Sequence, residues 1–171
     1  MSAARSKPLP LPSKIGLLAA LASAALLGGA LYFQYVVGLP PCELCYWQRY
    51  PHVASIVLGL AAVASLPAPR LAYVFALGAI AALLVTAGIG LFHVGVELHW
   101  WLGPQACSGH IPGGLSPAEL KKYLFSAKMV RCDEPAWSMW GVSMAGWNVI
   151  FSAGVAILLS LSIFRRIKVL P

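Results

Sequence analysis

The apolar residues of this chain fall into long uninterrupted blocks, and this constrains the fold more than any other feature. Ile15 to Leu39 is broken only by Gln34; a second block starts near Cys42 and runs to Leu66. Leu71 to Phe92 carries no charge, and Met139 to Phe164 holds Asn148 as its one strongly polar group. A bilayer core of about 30 Å needs roughly 20 helical residues to cross it. The four blocks therefore predict an all-α membrane protein, a four-transmembrane-helix bundle over residues 15–164. Composition agrees: 60% of the 171 residues are hydrophobic and 10% charged, against about 25% charged in soluble domains. Arg5, Lys7 and Lys14 before the first block also suit a signal peptide. The block is long against an apolar signal core of roughly 7–15 residues, so a retained helix is expected.

Charge sets the expected orientation. With four spans, one side holds the N-terminal tail (1–14), the 66–71 connection and the C-terminal tail (165–171). That side carries Arg5, Lys7, Lys14, Arg70, Arg165, Arg166 and Lys168 and no acid. All five acids, Glu43, Glu97, Glu119, Asp133 and Glu134, lie in the two loops of the other side, at about 40–49 and 97–137. Lysine and arginine near spans mark the cytoplasmic face, so both termini are expected inside. The net charge of +7 is then a topology signal, and nucleic-acid binding is not needed to explain it. Cys42, Cys45, Cys107 and Cys132 all fall outside, where an even number of cysteines points to disulfides.

Local signals refine the plan. Pro8, Pro10 and Pro12 predict an extended tail. Gly28-Gly29 permits close helix contact, although a lipid-facing anchor fits equally well. A second span starting only at Val53 would be about 21 Å long, too short to cross. The helix is therefore expected to begin near Cys42 and to pass through Pro51 with a kink, in preference to a turn carrying both cysteines before a short span from Pro51. Trp100 and Trp101, beyond the third block, suit an interface belt. Ser116-Pro117-Ala118-Glu119 reads as a capping box, with Leu115 and Leu120 as a hydrophobic staple. It predicts a short amphipathic helix in the second external loop, between Cys107 and Cys132.

The chemistry concentrates in Pro41-Cys42-Glu43-Leu44-Cys45-Tyr46-Trp47-Gln48-Arg49. With Pro41 in the first turn of a helix, Cys42 and Cys45 share a face and Arg49 lies one turn further along it. The positive helix end and a guanidinium both favour thiolate. Glu43 between the cysteines acts against it. Structural zinc uses the same spacing, with Cys107, Cys132, His93, His99 and His110 as further ligands. Two inert disulfides are a third reading, and a 107–132 bridge would contribute about 3–4 kcal/mol by loop closure. Snorkelling to the headgroups is the commoner fate of a lone interfacial arginine, but the i+4 relation of Arg49 to Cys45 favours the functional reading.

Taken together, the Pro-Cys-x-x-Cys after the first of four spans, Arg49 behind it and the second cysteine pair in the second external loop resemble the DsbB family. His93-Val94-Gly95-Val96-Glu97, Gly103-Pro104-Gln105-Ala106-Cys107 and Cys132-Asp133-Glu134-Pro135-Ala136-Trp137 look like further stretches of it. The resemblance implies an enzyme of the bacterial inner membrane that reoxidises a DsbA-like periplasmic thioredoxin-fold protein and passes the electrons to ubiquinone or menaquinone. On this resemblance Cys107–Cys132 and Cys42–Cys45 are the two redox pairs. Cys107 would capture the partner, a transient Cys42–Cys132 bond would link the pairs, and Cys45 would donate to quinone. Arg49 and His93 would hold the quinone, and no metal is implied. A quinone reductase of the vitamin K epoxide reductase type is also a four-helix bundle with this motif, but its pair belongs to a late span. The Cys-x-x-Cys here opens the second.

Overall fold

The computed structural model describes residues 9–104, 114, 116–126 and 130–169. Five helices and one small hairpin follow in order: α1 (Leu11–Tyr35), α2 (Glu43–Ala64), α3 (Pro69–Glu97), α4 (Pro117–Ser126), β1 (Ser138–Met139), β2 (Val142–Ser143) and α5 (Met144–Val169).

Among the described residues, three helices are long and apolar enough to cross a membrane: Leu11–Tyr35, Pro69–Glu97 and Met144–Arg165. The chain is thus a multi-pass helical membrane protein. Helix α2 has 22 residues, about 33 Å at helical rise, so its length suffices. Its first half, with Glu43, Gln48, Arg49 and His52, is too polar for it to join the other three. Large side chains face outward on the spans, including Leu21, Val57, Val74 and Leu158, each more than half exposed. An apolar exterior over a small-residue interior is what a lipid solvent selects.

Boundaries differ from the sequence expectation in four places. Helix α1 begins at Leu11, inside the expected extended tail, because Pro12 sits in the first turn, where no N–H is required. Helix α5 runs to Val169, past the expected end of the span. Pro41 stands before the helix and Cys42 is the N-cap of α2. The fourth block does not start as helix: Ser138 pairs with Ser143 and Met139 with Val142 across a tight turn. Trp140 and Gly141 there have φ of 53° and 77°, the left-handed pair that a two-residue hairpin turn demands.

Pro51 lies inside a continuous α2, as its length required. Proline has no N–H to offer the carbonyl of Trp47. The neighbouring Gln48 carbonyl receives a cross-helix bond from Thr86 Oγ1 at 2.9 Å. The capping box of α4 is formed: Ser116 N and Oγ donate to Glu119 Oε2 at 2.9 and 2.6 Å. These bonds hold the Glu119 carboxyl below the usual range. The Leu115 half of the expected staple lies outside the described residues.

Packing divides the bundle in two. Toward the α1 N-terminus, Ile15, Ala19, Ala62, Ala76, Ala79, Leu83, Ala156 and Leu159 form one apolar cluster. The closest helix approach is here: a Cβ on Gly16 would lie 2.7 Å from the Gly59 carbonyl, and one on Gly59 2.9 Å from Ala20 Cβ. Gly28 and Gly29, the sequence candidates for such contact, would meet nothing within 4 Å. At the opposite end, Cys42, Leu44, Val96 and Cys132 form a second cluster, with Cys45 and Val130 against it. Helices pack as α1 on α2, α2 on α3 and α3 on α5, with α1 also against α3 and, more sparsely, against α5.

Candidate active site

A cavity of about 540 Å³ is lined from both α1 and α5, at the end of the bundle that holds the cysteines. Gly29, Ala30 and Phe33 of α1 form one wall, and Ala145, Asn148 and Phe151 of α5 another. Cys42, Cys45, Gln48, Arg49 and His52 reach it from α2, and His93 and Glu97 from α3. Its lining is chiefly apolar, with these few polar groups converging on it.

The two thiols stand where a helix N-terminus presents its free N–H groups. Cys42 caps α2 with sulfur, accepting from the Cys45 N–H at 3.3 Å. The Cys42 and Cys45 sulfurs are 2.8 Å apart. Contact with the Cys45 sulfur, with burial adding to it, pushes the Cys42 thiol well above its ordinary range. Two sulfurs this close lose their protons as a pair, the second against the charge left by the first.

The Arg49 guanidinium is tied back to α1. Its Nη1 donates to Gln34 Oε1 at 2.5 Å and its Nη2 to the Ala30 carbonyl at 3.4 Å. The guanidinium carbon lies 5.2 Å from the Tyr46 ring centroid. Its Nε is buried with no partner among the described residues. The charge thus stays at the cavity wall, one turn below Cys45. Glu43 turns to the outer surface, where Trp47 Nε1 donates to its carboxylate at 2.8 Å.

His93 is buried at 4% exposure. Its Nε2 faces Cys42 Sγ at 3.7 Å and Glu97 Oε1 at 3.8 Å. Its Nδ1 meets Gln48 Nε2 at 2.9 Å. Cys42, Cys45 and His93 place one potential metal ligand atom each within 4.8 Å of one another. Of the other ligands that zinc would need, His99 lines a separate pocket beside Trp100 and Asp133. His110 lies outside the described residues.

Cys132 is fully buried beside Cys42 and is disulfide-bonded. Cys107, its expected partner, lies outside the described residues. Beyond Cys132 the backbone is held by Arg131, which donates to both carboxylate oxygens of Asp133 at 2.9 and 2.5 Å and keeps that carboxyl below its usual range. The structure therefore brings Cys42, Cys45, Cys132, Arg49 and His93 to one end of the bundle.

Sequence reading passed over a buried polar network beside these groups. Asn148 Nδ2 donates to Gln48 Oε1 at 2.7 Å and Thr86 Oγ1 at 3.0 Å. Its Oδ1 is 3.0 Å from His52 Nε2 and accepts from Ser152 Oγ at 2.9 Å. The available signal was that Gln34 and Asn148 interrupt otherwise apolar blocks; an isolated amide in hydrocarbon has to be paired.

In this helical membrane protein a buried Cys42 and a half-buried Cys45 open together onto an apolar cavity, an arrangement suited to thiol–disulfide oxidoreductase chemistry. The sequence matches the family described as "Disulfide bond formation protein DsbB" over residues 12–162. It is 32% identical over 160 residues to disulfide bond formation protein B 2 of Pseudomonas syringae pv. syringae, covering 88% of this chain and 87% of that protein. The disulfide bond formation protein B of Haemophilus influenzae (strain 86-028NP) is 35% identical over 157 residues, 88% of this chain and 86% of that one. The Verminephrobacter eiseniae protein of the same name is 33% identical over 167 residues, covering 92% and 89%. The chain belongs to the DsbB family, bacterial membrane proteins of disulfide bond formation, and is a disulfide-forming oxidoreductase.

Proposed function

We propose that the protein is a quinone-linked oxidase of a soluble periplasmic dithiol protein, with α2 as a fourth span of the bacterial inner membrane. Both termini are then cytoplasmic and all four cysteines periplasmic, following the one-sided distribution of Lys and Arg. The observation that carries the reading is the Cys42–Cys45 pair, at 2.8 Å, on the wall of an apolar cavity that also holds the Arg49 guanidinium.

Quinone is the substrate that takes up two electrons and two protons. The residues present fit such a molecule: a cavity of about 540 Å³, apolar faces from Phe33 and Phe151, and a half-buried cation whose Nε is buried with no partner among the described residues. The chain's own chemistry is thiol–disulfide exchange. A reduced DsbA-like thioredoxin-fold partner attacks the Cys107–Cys132 disulfide and is captured on Cys107. Cys132, released as thiolate, exchanges with the Cys42–Cys45 disulfide through a transient Cys42–Cys132 bond. The burial of Cys132 against Cys42 supports that step. Cys45 is left as the thiolate that delivers electrons to the acceptor, with Arg49 stabilising its charge and the charge developing on the acceptor oxygen. His93 lies on the same wall.

The test is reduction of ubiquinone-1, and separately of a short-chain menaquinone, by the purified protein with a reduced thioredoxin-fold dithiol. Stoichiometric quinol formation and dithiol oxidation are expected for one or both. Absence of turnover with both, in folded protein that still captures the dithiol, would remove the quinone from the proposal.

A further inference from the structure

His93 has two ring nitrogens, and which one carries the proton decides whether it gives a hydrogen bond to Cys42 or takes its proton. Hydrogen positions follow from the surrounding network, and here two backbone carbonyls fix that network from opposite ends. The Leu44 carbonyl can only accept, and the Gln48 side-chain atom 3.3 Å from it is therefore the amide nitrogen. The same nitrogen sits 2.9 Å from His93 Nδ1. On α5, the nitrogen of Asn148 is fixed in the same way by the Thr86 carbonyl at 3.4 Å. It donates to the Gln48 oxygen at 2.7 Å. Both amides thus point the same way, and His93 Nδ1 is left as an acceptor. A neutral imidazole that accepts at Nδ1 carries its proton at Nε2, the nitrogen 3.7 Å from Cys42 Sγ.

We propose that Gln48 and Asn148 are positioning residues that lock His93 into its Nε2–H tautomer, making it a hydrogen-bond donor to the Cys42 sulfur. The inference rests on the dithiol reading of Cys42 and is independent of the electron acceptor. When Cys107 attacks the Cys132 sulfur of the transient Cys42–Cys132 bond and re-forms the Cys107–Cys132 disulfide, the electron pair of the broken bond stays on Cys42 Sγ. The N–H of His93 stabilises that charge, and no proton is transferred. The same lock takes Nε2 out of use as a base and as a metal ligand, because its lone pair is already protonated.

The experiment is long-range proton–nitrogen correlation NMR on the full-length, reduced protein with ¹⁵N-labelled histidine in lipid nanodiscs. The His93 signals are identified by their loss in His93→Gln. The wild type is expected to show a protonated Nε2 and an unprotonated Nδ1. Gln48→Glu places an acceptor-only oxygen opposite Nδ1 and is expected to move the proton to Nδ1. Asn148→Leu removes one of the two anchors of the Gln48 amide and is expected to give a mixture of tautomers. It is also expected to slow iodoacetamide alkylation of Cys42 at pH 7, in a Cys45→Ser background, by about twofold to tenfold. A wild-type spectrum with the proton on Nδ1 would overturn the proposal even if neither Gln48→Glu nor Asn148→Leu folds. A Gln48→Glu spectrum with Nε2 still protonated does the same, and unchanged spectrum and alkylation in Asn148→Leu remove Asn148 from the lock. None of these readouts uses quinone, so a protein that fails to reduce quinone still decides the question.

Discussion

Arg49 of α2 and Gln34 of α1 form the shortest polar contact across the first helix pair, with Nη1 2.5 Å from Oε1. The bond holds a guanidinium at the cavity wall instead of letting it extend to the headgroups. It accounts for the one strongly polar residue of the first apolar block, since an amide in that position has a partner only if α2 brings one.

Arg49→Lys keeps the charge but loses the planar fork, so Gln34 and an acceptor oxygen are no longer held in one fixed geometry. One lost charge-assisted bond costs about 1.5–3 kcal/mol, or roughly 10- to 150-fold in the affected step. The loss is expected as a raised quinone KM with capture of the dithiol partner preserved. Gln34→Leu is expected to act in the same direction and more weakly, because the Ala30 carbonyl still holds Nη2. Steady-state kinetics at equal folded protein check both; unchanged kinetics in Arg49→Lys and Arg49→Ala would reduce Arg49 to an anchor.

The relay assigns different steps to different cysteines. Cys107→Ser is expected to abolish the mixed disulfide with the dithiol partner. Cys45→Ser is expected to retain that adduct and to stop quinone reduction. Mass spectrometry of the trapped adduct identifies the cysteine involved, and an adduct through Cys42 would reverse the proposed order.

Orientation is tested with single cysteines in a cysteine-free background. Ala68 and Lys121 are both exposed, at opposite ends of the expected topology. An impermeant maleimide is expected to label Lys121→Cys in intact spheroplasts and Ala68→Cys only after permeabilisation. The converse pattern would invert the protein in the membrane.

Two glycines separate packing from access. Gly59→Ala forces a methyl against the Gly16 carbonyl and Ala20 and is expected to destabilise the bundle by about 1–3 kcal/mol, read as a lowered unfolding midpoint in detergent. Gly29→Ala meets nothing within 4 Å and is expected to leave stability unchanged. Gly29→Phe places a ring on the cavity wall and is expected to cut quinone reduction while sparing partner capture. Unimpaired turnover in folded Gly29→Phe would place the acceptor elsewhere.

The sequence was most informative where one residue type has one physical use. The apolar blocks, the capping box at Ser116 and the passage of α2 through Pro51 follow from helix length and backbone donors alone. The hairpin before α5 was not legible, because Trp140 in a left-handed turn is a choice that Gly141 and the pairing of Ser138 with Ser143 impose. The close contact at Gly16 and Gly59 was missed in favour of Gly28-Gly29, since small residues permit approach but do not say which helix comes near. In the candidate site, the motif located Cys42, Cys45 and Arg49. The pairing of Asn148 with Gln48 depends on how α5 is turned about its axis, and one sequence does not contain that angle.

The hydrogen-bonded chain from His93 through Gln48 to Asn148 also bears on how this gene can change. In the apolar half of the bundle, an Ala or Leu can drift to a neighbour of similar volume and the helices settle around it. A buried amide chain has a direction, because each member donates at one end and accepts at the other. Altering position 48 alone reverses or strands position 148 and exposes the mistake to hydrocarbon. The two codons, a hundred residues apart, are thus expected to be inherited as a linked choice, and His93 fixes which combinations are permitted.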